Sequence, residues 1–137
     1  MPGQQKSSFE QLEAGLEFPP ISYDLDAEII SRYVRAVGET SSLYENNELV
    51  PPTAIVAFAL LALTENISLL PGTIHISQEI QSLGIASVGD TVTYHAKVSR
   101  KQERGNMRLL DIGFDASNQT SVMLMQGKMS FILPESD

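Results

Sequence analysis

The chain has 137 residues, 42% of them hydrophobic, and no cysteine. That length and composition fit one soluble domain with a real core, and exclude a disulfide scaffold, a cysteine metal site and a cysteine nucleophile. Nine Lys and Arg against seventeen Asp and Glu leave a formal charge of −8, a balance that argues against binding the phosphate backbone of a nucleic acid.

Residues 1–8 are polar, carry no apolar signal-peptide core and are expected to form a disordered tail ahead of a single domain over 9–134. Phe9 to Phe18 reads as a short lead-in, and Pro19-Pro20 imposes an extended segment that starts a strand near Ile21 to Tyr23. Asp26 precedes a helical pattern as its N-cap, with Glu28 favourable near the positive end of the helix dipole. Ile29, Ile30, Tyr33, Val34 and Val37 recur at three- and four-residue spacing, one apolar helix face, and Gly38 is placed to end it. Glu39 to Val50 is a polar loop longer than a minimal connection, and long loops on compact domains are often functional. Pro51-Pro52 stiffens the way into the next element, with Thr53 expected as its N-cap. From Ala54 to about Leu63 nearly every residue is apolar. The run is about half a membrane span, and a helix apolar on all sides is a buried one that something must wrap around. No membrane partner is expected, and the protein is read as cytoplasmic.

The second half changes period. Thr73 to Ile80 reads as a strand, and Gly84 and Gly89-Asp90 punctuate a turn. Thr91 to Ser99 alternates Val92, Tyr94, Ala96 and Val98 against polar neighbours, a half-buried strand. Arg100 to Asn106 is expected as a charged turn, Met107 to Ala116 as the next strand and Ser121 to Leu133 as the last. The order is strand, helix, loop, buried helix and four strands. An α+β fold satisfies it, with a curved antiparallel sheet wrapped around one apolar helix.

On these residues a resemblance rests. Phe9-Glu10-Gln11-Leu12-Glu13-Ala14-Gly15, then Leu25-Asp26-Ala27-Glu28 leading to Tyr33 and Gly38-Glu39, resembles the opening of MaoC-like (R)-specific enoyl-CoA hydratases and dehydratases. Pro51-Pro52-Thr53 before an apolar helix and Val88-Gly89-Asp90-Thr91-Val92 before a long strand are similar to segments of the same family. The match runs from about Phe9 to Pro134. The resemblance implies the hot-dog fold, and a pairing of two such folds edge to edge as a homodimer or a heterodimer with a related hot-dog chain. It further implies a ligand that is an acyl-CoA or acyl-carrier thioester, with no cofactor.

Active members of that family carry an aspartate and, about five residues on, a histidine in the loop before the buried helix. One group takes a proton from water and the other returns one to the substrate carbon. Carried over residue by residue, Gly38 matches the family glycine, Glu39 falls at the aspartate and Tyr44 at the histidine. Glu39 keeps a carboxylate. A tyrosine with an ordinary pKa near 10 is no base at neutral pH, and Ser41 and Ser42 have no neighbouring histidine to activate them. The backbone N–H groups after Pro52, at Thr53, Ala54 and Ile55, are the expected site for the thioester oxygen.

Against each sharp reading stands a plain one. Glu39 serves equally as a solvated helix-end carboxylate, and Tyr44 as a ring packed on its loop. His75 and His95 read as strand histidines facing solvent, with no metal-ligand spacing, so no metal site is expected. Met123, Met125 and Met129 fall on alternating positions of the last strand, consistent with core, an interface or the lining of an acyl tunnel. Lys97, Arg100, Lys101, Arg104 and Arg108 form either a solvated hairpin tip or a positive patch for coenzyme A phosphates. Three functions stay open. The chain is a dehydratase-family subunit lacking the full Asp/His pair, or an active enoyl-CoA hydratase or hot-dog thioesterase using Glu39, or a non-enzymatic ligand-binding dimer.

Overall fold

The computed structural model describes residues 6–36 and 49–134. Glu39 and Tyr44, with Gly38, Ser41 and Ser42, lie outside the described residues.

A 3-10 turn at Phe9–Gln11 is followed by strand β1 (Ile21–Asp24), helix α1 (Ala27–Ala36), strand β2 (Leu49–Val50) and helix α2 (Pro52–Asn66). Strands β3 (Ile74–Ser82), β4 (Ala86–Ser87), β5 (Thr91–Arg104), β6 (Met107–Ser117) and β7 (Met123–Leu133) complete the chain. Five strands form one antiparallel sheet in the order β1-β5-β6-β7-β3, and β2 and β4 make a separate two-residue ribbon. The β5-β6-β7 meander and the α+β class are as the alternating pattern predicts.

Asp26 caps α1 as expected, its Oδ1 accepting from the Ile29 N–H at 2.8 Å. The cap of α2 is a correction. The helix begins at Pro52, with Pro51 rather than Thr53 at the N-cap and no side-chain hydrogen bond there. Proline suits this first position because its missing N–H would have had no partner in the helix. Against the sheet α2 buries Ala54, Ile55, Ala59, Ala62 and Leu63, which meet Tyr94, Ile112, Phe114 and Met129 from the strands. The expectation that α2 is covered on every side is corrected too: Ala57 and Leu61 are exposed, Leu61 by 49%. One sheet covers one side of a helix, and among the described residues nothing lies over that stripe.

The expected charged turn over 100–106 is also overturned. The strands run to Arg104 and resume at Met107, leaving only Gly105-Asn106 to turn. Between Val98 and Arg100 the register shifts by one residue, since Val98 faces Ile112 while Arg100 faces Asp111. A bulge of this kind flips the facing of everything beyond it. Lys101 therefore pairs with inward-facing Leu110 and lies over the Phe9 ring at 4.5 Å, its ammonium donating to the Leu12 carbonyl at 2.8 Å. Arg108 is buried, stacks on the other approach to Phe9 at 4.2 Å, donates to the Pro134 carbonyl and pairs with Glu10. Arg100 meets Asp111 at 3.1 Å. Two of the five cations, Lys101 and Arg108, thus lock the N-terminal turn to the sheet, and a third, Arg100, pairs within the sheet, rather than forming a free patch.

The Gly89-Asp90 turn is structural. Gly89 has φ +98°, a left-handed conformation that glycine adopts without a Cβ clash. The Asp90 carboxylate accepts from the Ser87 N–H at 2.9 Å and the Gln119 amide at 3.0 Å, tying the start of β5 to the β6-β7 turn. Nearer the N-terminus, Ser7 bridges to the chain after α2, its N–H bonding the Asn66 carbonyl at 2.9 Å.

Candidate functional site

The site is assembled where α2 begins. Pro51, extended at φ −59° and ψ 138°, turns the chain from the β2 ribbon into the helix. Its carbonyl accepts from the Ala54 N–H at 2.9 Å and more weakly from the Ile55 N–H at 3.4 Å. Pro52 has no N–H. The Thr53 N–H meets no acceptor among the described residues, so it is the one donor of this first turn left to point outward. No acidic side chain stands in the turn to offset the positive end of the helix dipole.

Tyr94 fixes this turn against the sheet. Its hydroxyl, buried with the ring, donates to the Ile55 carbonyl at 2.8 Å. Burial, and next the neighbouring Tyr23, push the Tyr94 hydroxyl above its ordinary pKa and keep it a donor. Tyr23 packs on Phe58 at 5.3 Å and donates to Glu65 at 3.0 Å; burial first, then that carboxylate, raise its pKa as well.

Beside the helix start lies an apolar cavity of about 230 Å³. Pro52 and Ile55 form its helix wall, Leu49, Val50 and Ala86 the ribbon wall, and Ser82, Gly84 and Ile85 the wall at the end of β3. Leu124 and Met125 of β7 form its floor. Gly84 lets this wall close: a Cβ there would stand 3.0 Å from the Met123 carbonyl oxygen. Of the residues expected here, Pro52 and Ile55 line the cavity, Thr53 is exposed beside Pro52, and Ala54 is fully buried with its N–H bonded to Pro51. Sequence reading missed Ser82, Gly84, Ile85 and Leu124. The signal available was Gly84, read only as a turn marker.

The edge of the sheet adjoins this cavity. All nine residues of β3 are exposed, Ile74, Ile76 and Ile80 among them, and among the described residues β3 pairs on one side only, with β7. Ser82 is both the last residue of this open edge and part of the cavity wall.

The histidines stand elsewhere. His75 is exposed but turned to the helix side, its ring stacked on Phe131 at 4.8 Å, ahead of a bulge at Ile76. His95 faces outward and meets Asp115 across the strands at 3.3 Å. Among the described residues no group of three His, Cys, Asp or Glu could hold a metal, and no helix is long and apolar enough to cross a membrane.

A family model described as "FAS1-like, dehydratase domain region" matches residues 13–126. No curated protein matches the chain in sequence. Among solved structures the chain is similar to the unliganded R-hydratase PhaJ1 from Pseudomonas aeruginosa, at 16% identity over 93% of this chain and 86% of that one, with a TM-score of 0.76. It is similar to a MaoC-like dehydratase from Rhodospirillum rubrum at 14% identity, covering 93% and 97% of the two chains, with a TM-score of 0.75. It is also similar to the C-terminally truncated HadBC complex, a 3R-hydroxyacyl-ACP dehydratase from Mycobacterium tuberculosis, at 13% identity, 87% and 96% coverage and a TM-score of 0.70. Likenesses at these identities show the fold, and the hot-dog architecture read from the sequence is the one found.

Proposed function

This chain belongs to the family of FAS1-like dehydratase domain regions, and from that membership we propose that it binds an acyl thioester and works beside a related hot-dog chain that completes its catalytic pair. The observation that carries the reading is the apolar cavity at the start of α2, next to the free Thr53 N–H. An acyl tail suits the cavity. The thioester oxygen suits a backbone donor at a helix N-terminus, where negative charge develops in hydration or dehydration. Pro52 and Ile55 are the proposed walls and Thr53 the proposed donor. Ala54 serves by keeping the turn in shape.

The chemistry also needs a base and an acid. Glu39 stands at the family aspartate position and Tyr44 at the histidine position, so these two positions retain a carboxylate and no imidazole. That departure supports a subunit whose partner supplies the histidine. The open edge of β3 supports the same partner, whether a second copy or, as in the HadBC complex, another chain. Natural proteins blunt an exposed edge with Lys or Pro. β3 has neither, and it presents three isoleucines. With no cysteine in the chain, a cytoplasmic setting belongs to the same proposal.

The test is a hydration assay of the purified chain on short trans-2-enoyl thioesters, on coenzyme A and on carrier protein, read beside free-thiol release and direct binding. Binding without turnover is the expected result. Hydration by the chain alone, lost in Glu39→Gln, would replace the partner-dependent reading with a self-sufficient hydratase. Thiol release would make it a thioesterase, and no binding of either thioester would end the proposal.

A further inference from the structure

We infer that Met125 sets the length of acyl chain this protein accepts, and that the preferred thioester carries a short, linear, apolar acyl group; the inference rests on the acyl-thioester reading above. Met125 lies on the floor of the cavity, 1% exposed, paired across the sheet with Ala116 on one side and Ser82 on the other. The seam between α2 and the sheet continues past it, because Ile55 and Ala59 follow each other one helical turn apart, and Met125 and Met129 both face α2.

That continuation is closed. The next inward position on β7 is Gly127, and the Phe114 ring fills the space its side chain would take: a Cβ there would stand 2.6 Å from the ring. Beyond the ring, bounded by Ala59, Ala62 and Met129, the remaining void holds only about 10 Å³, roughly the room of a single water. An acyl tail entering beside Pro52 therefore ends on Met125. The cavity's 230 Å³ is below the ~300 Å³ at which pockets for drug-sized ligands begin, which favours a short chain. Methionine is unbranched and adaptable, so the stop is soft and its position depends on the side chain placed there.

Titration of the full chain with the N-acetylcysteamine thioesters of butanoate, hexanoate, octanoate and dodecanoate tests this without choosing between coenzyme A and a carrier protein. Affinities come from the methionine methyl signals by NMR. In the wild type, affinity should rise with length to a limit and then fall by about tenfold or more. Met125→Val should move the limit to longer chains and Met125→Phe to shorter ones, each variant first shown to be folded by urea titration. A limit that stays put in both folded variants, or the absence of any limit in the wild type, overturns the role of Met125. Failure of every thioester to bind overturns the acyl-thioester reading itself, and this inference with it.

Discussion

Replacing the Thr53 amide by an ester, through incorporation of the corresponding hydroxy acid, removes one N–H and little else. Because that N–H has no acceptor among the described residues, its loss breaks no hydrogen bond among them. The same replacement at Ala54 deletes the 2.9 Å bond to the Pro51 carbonyl, a loss of about 0.5–1.5 kcal/mol. Both esters also weaken the carbonyl before them as an acceptor, so the difference between the two variants isolates the N–H. In urea titration the Ala54 ester should be less stable than the Thr53 ester by about 0.5–1.5 kcal/mol.

Ligand binding should show the opposite order. A hydrogen bond from Thr53 to a ground-state thioester oxygen is worth about 0.5–1.5 kcal/mol, or roughly two- to tenfold in Kd. In a complex with a catalytic partner the loss should grow to about 10²–10³ in turnover, because the donor meets full charge only in the transition state. Calorimetry with a butanoyl thioester, followed by turnover of the reconstituted complex, reads both. Unchanged affinity and turnover in the Thr53 ester would refute the role given to this donor. A larger binding loss at Ala54 would place the oxygen elsewhere in the turn.

Gly127→Ala would force a Cβ to within 2.6 Å of the Phe114 ring and 2.7 Å of the Glu79 carbonyl oxygen. Overpacking of about 1–3 kcal/mol, less a gain of about 0.4–1 kcal/mol from restricting the unfolded chain, predicts a urea-measured loss of up to about 2.6 kcal/mol. Phe114→Leu in the same chain should recover only part of it, because the Glu79 carbonyl is backbone. Lys at both Ile76 and Ile80 should dissociate the proposed edge-to-edge assembly in sedimentation while leaving the protomer's stability within about 0.5 kcal/mol. Tyr94 has a folded-state pKa raised above its ordinary 10.0, so its contribution is fully present below that pH and is lost as pH rises above it. Unfolding free energies measured across that alkaline range should fall less steeply in Tyr94→Phe than in the wild type.

Period and element order made the α+β class and the meander legible in the sequence, and the resemblance implied the hot-dog fold. The alternation of Val92, Tyr94, Ala96 and Val98 reports which side of β5 faces the core, whereas the unbroken apolar run from Ala54 to Leu63 marks a core helix without showing that its Ala57 and Leu61 stripe stays exposed. Bulges are what the period cannot report. At Ser99 no glycine marks the extra residue, yet beyond it Lys101 turns inward beside Leu110 and clamps Phe9, a role that neither the hairpin-tip nor the positive-patch reading contained. Half of the cavity was legible, because Pro51-Pro52 locates the helix start. The other half comes from Ser82 to Ile85 and from Leu124 and Met125, residues distant in sequence that meet only because β3 pairs with β7.

The start of α2 is poorly built for stability, as the proposed ligand site would require. It lacks a side-chain cap and an acidic residue in its first turn, omissions that together cost a helix on the order of 1–2 kcal/mol. An acidic residue would be easy to supply at exposed Thr53, yet it would neutralise the positive end of the dipole, and a capping side chain in place of Pro51 would occupy the Thr53 N–H. The cavity walls are apolar, and in such surroundings the remaining donor and dipole would act on the proposed thioester oxygen more strongly than they would in water. The stability missing from this turn is offset on the sheet side by Tyr94, whose hydroxyl bonds the Ile55 carbonyl and leaves the outward-facing donor untouched.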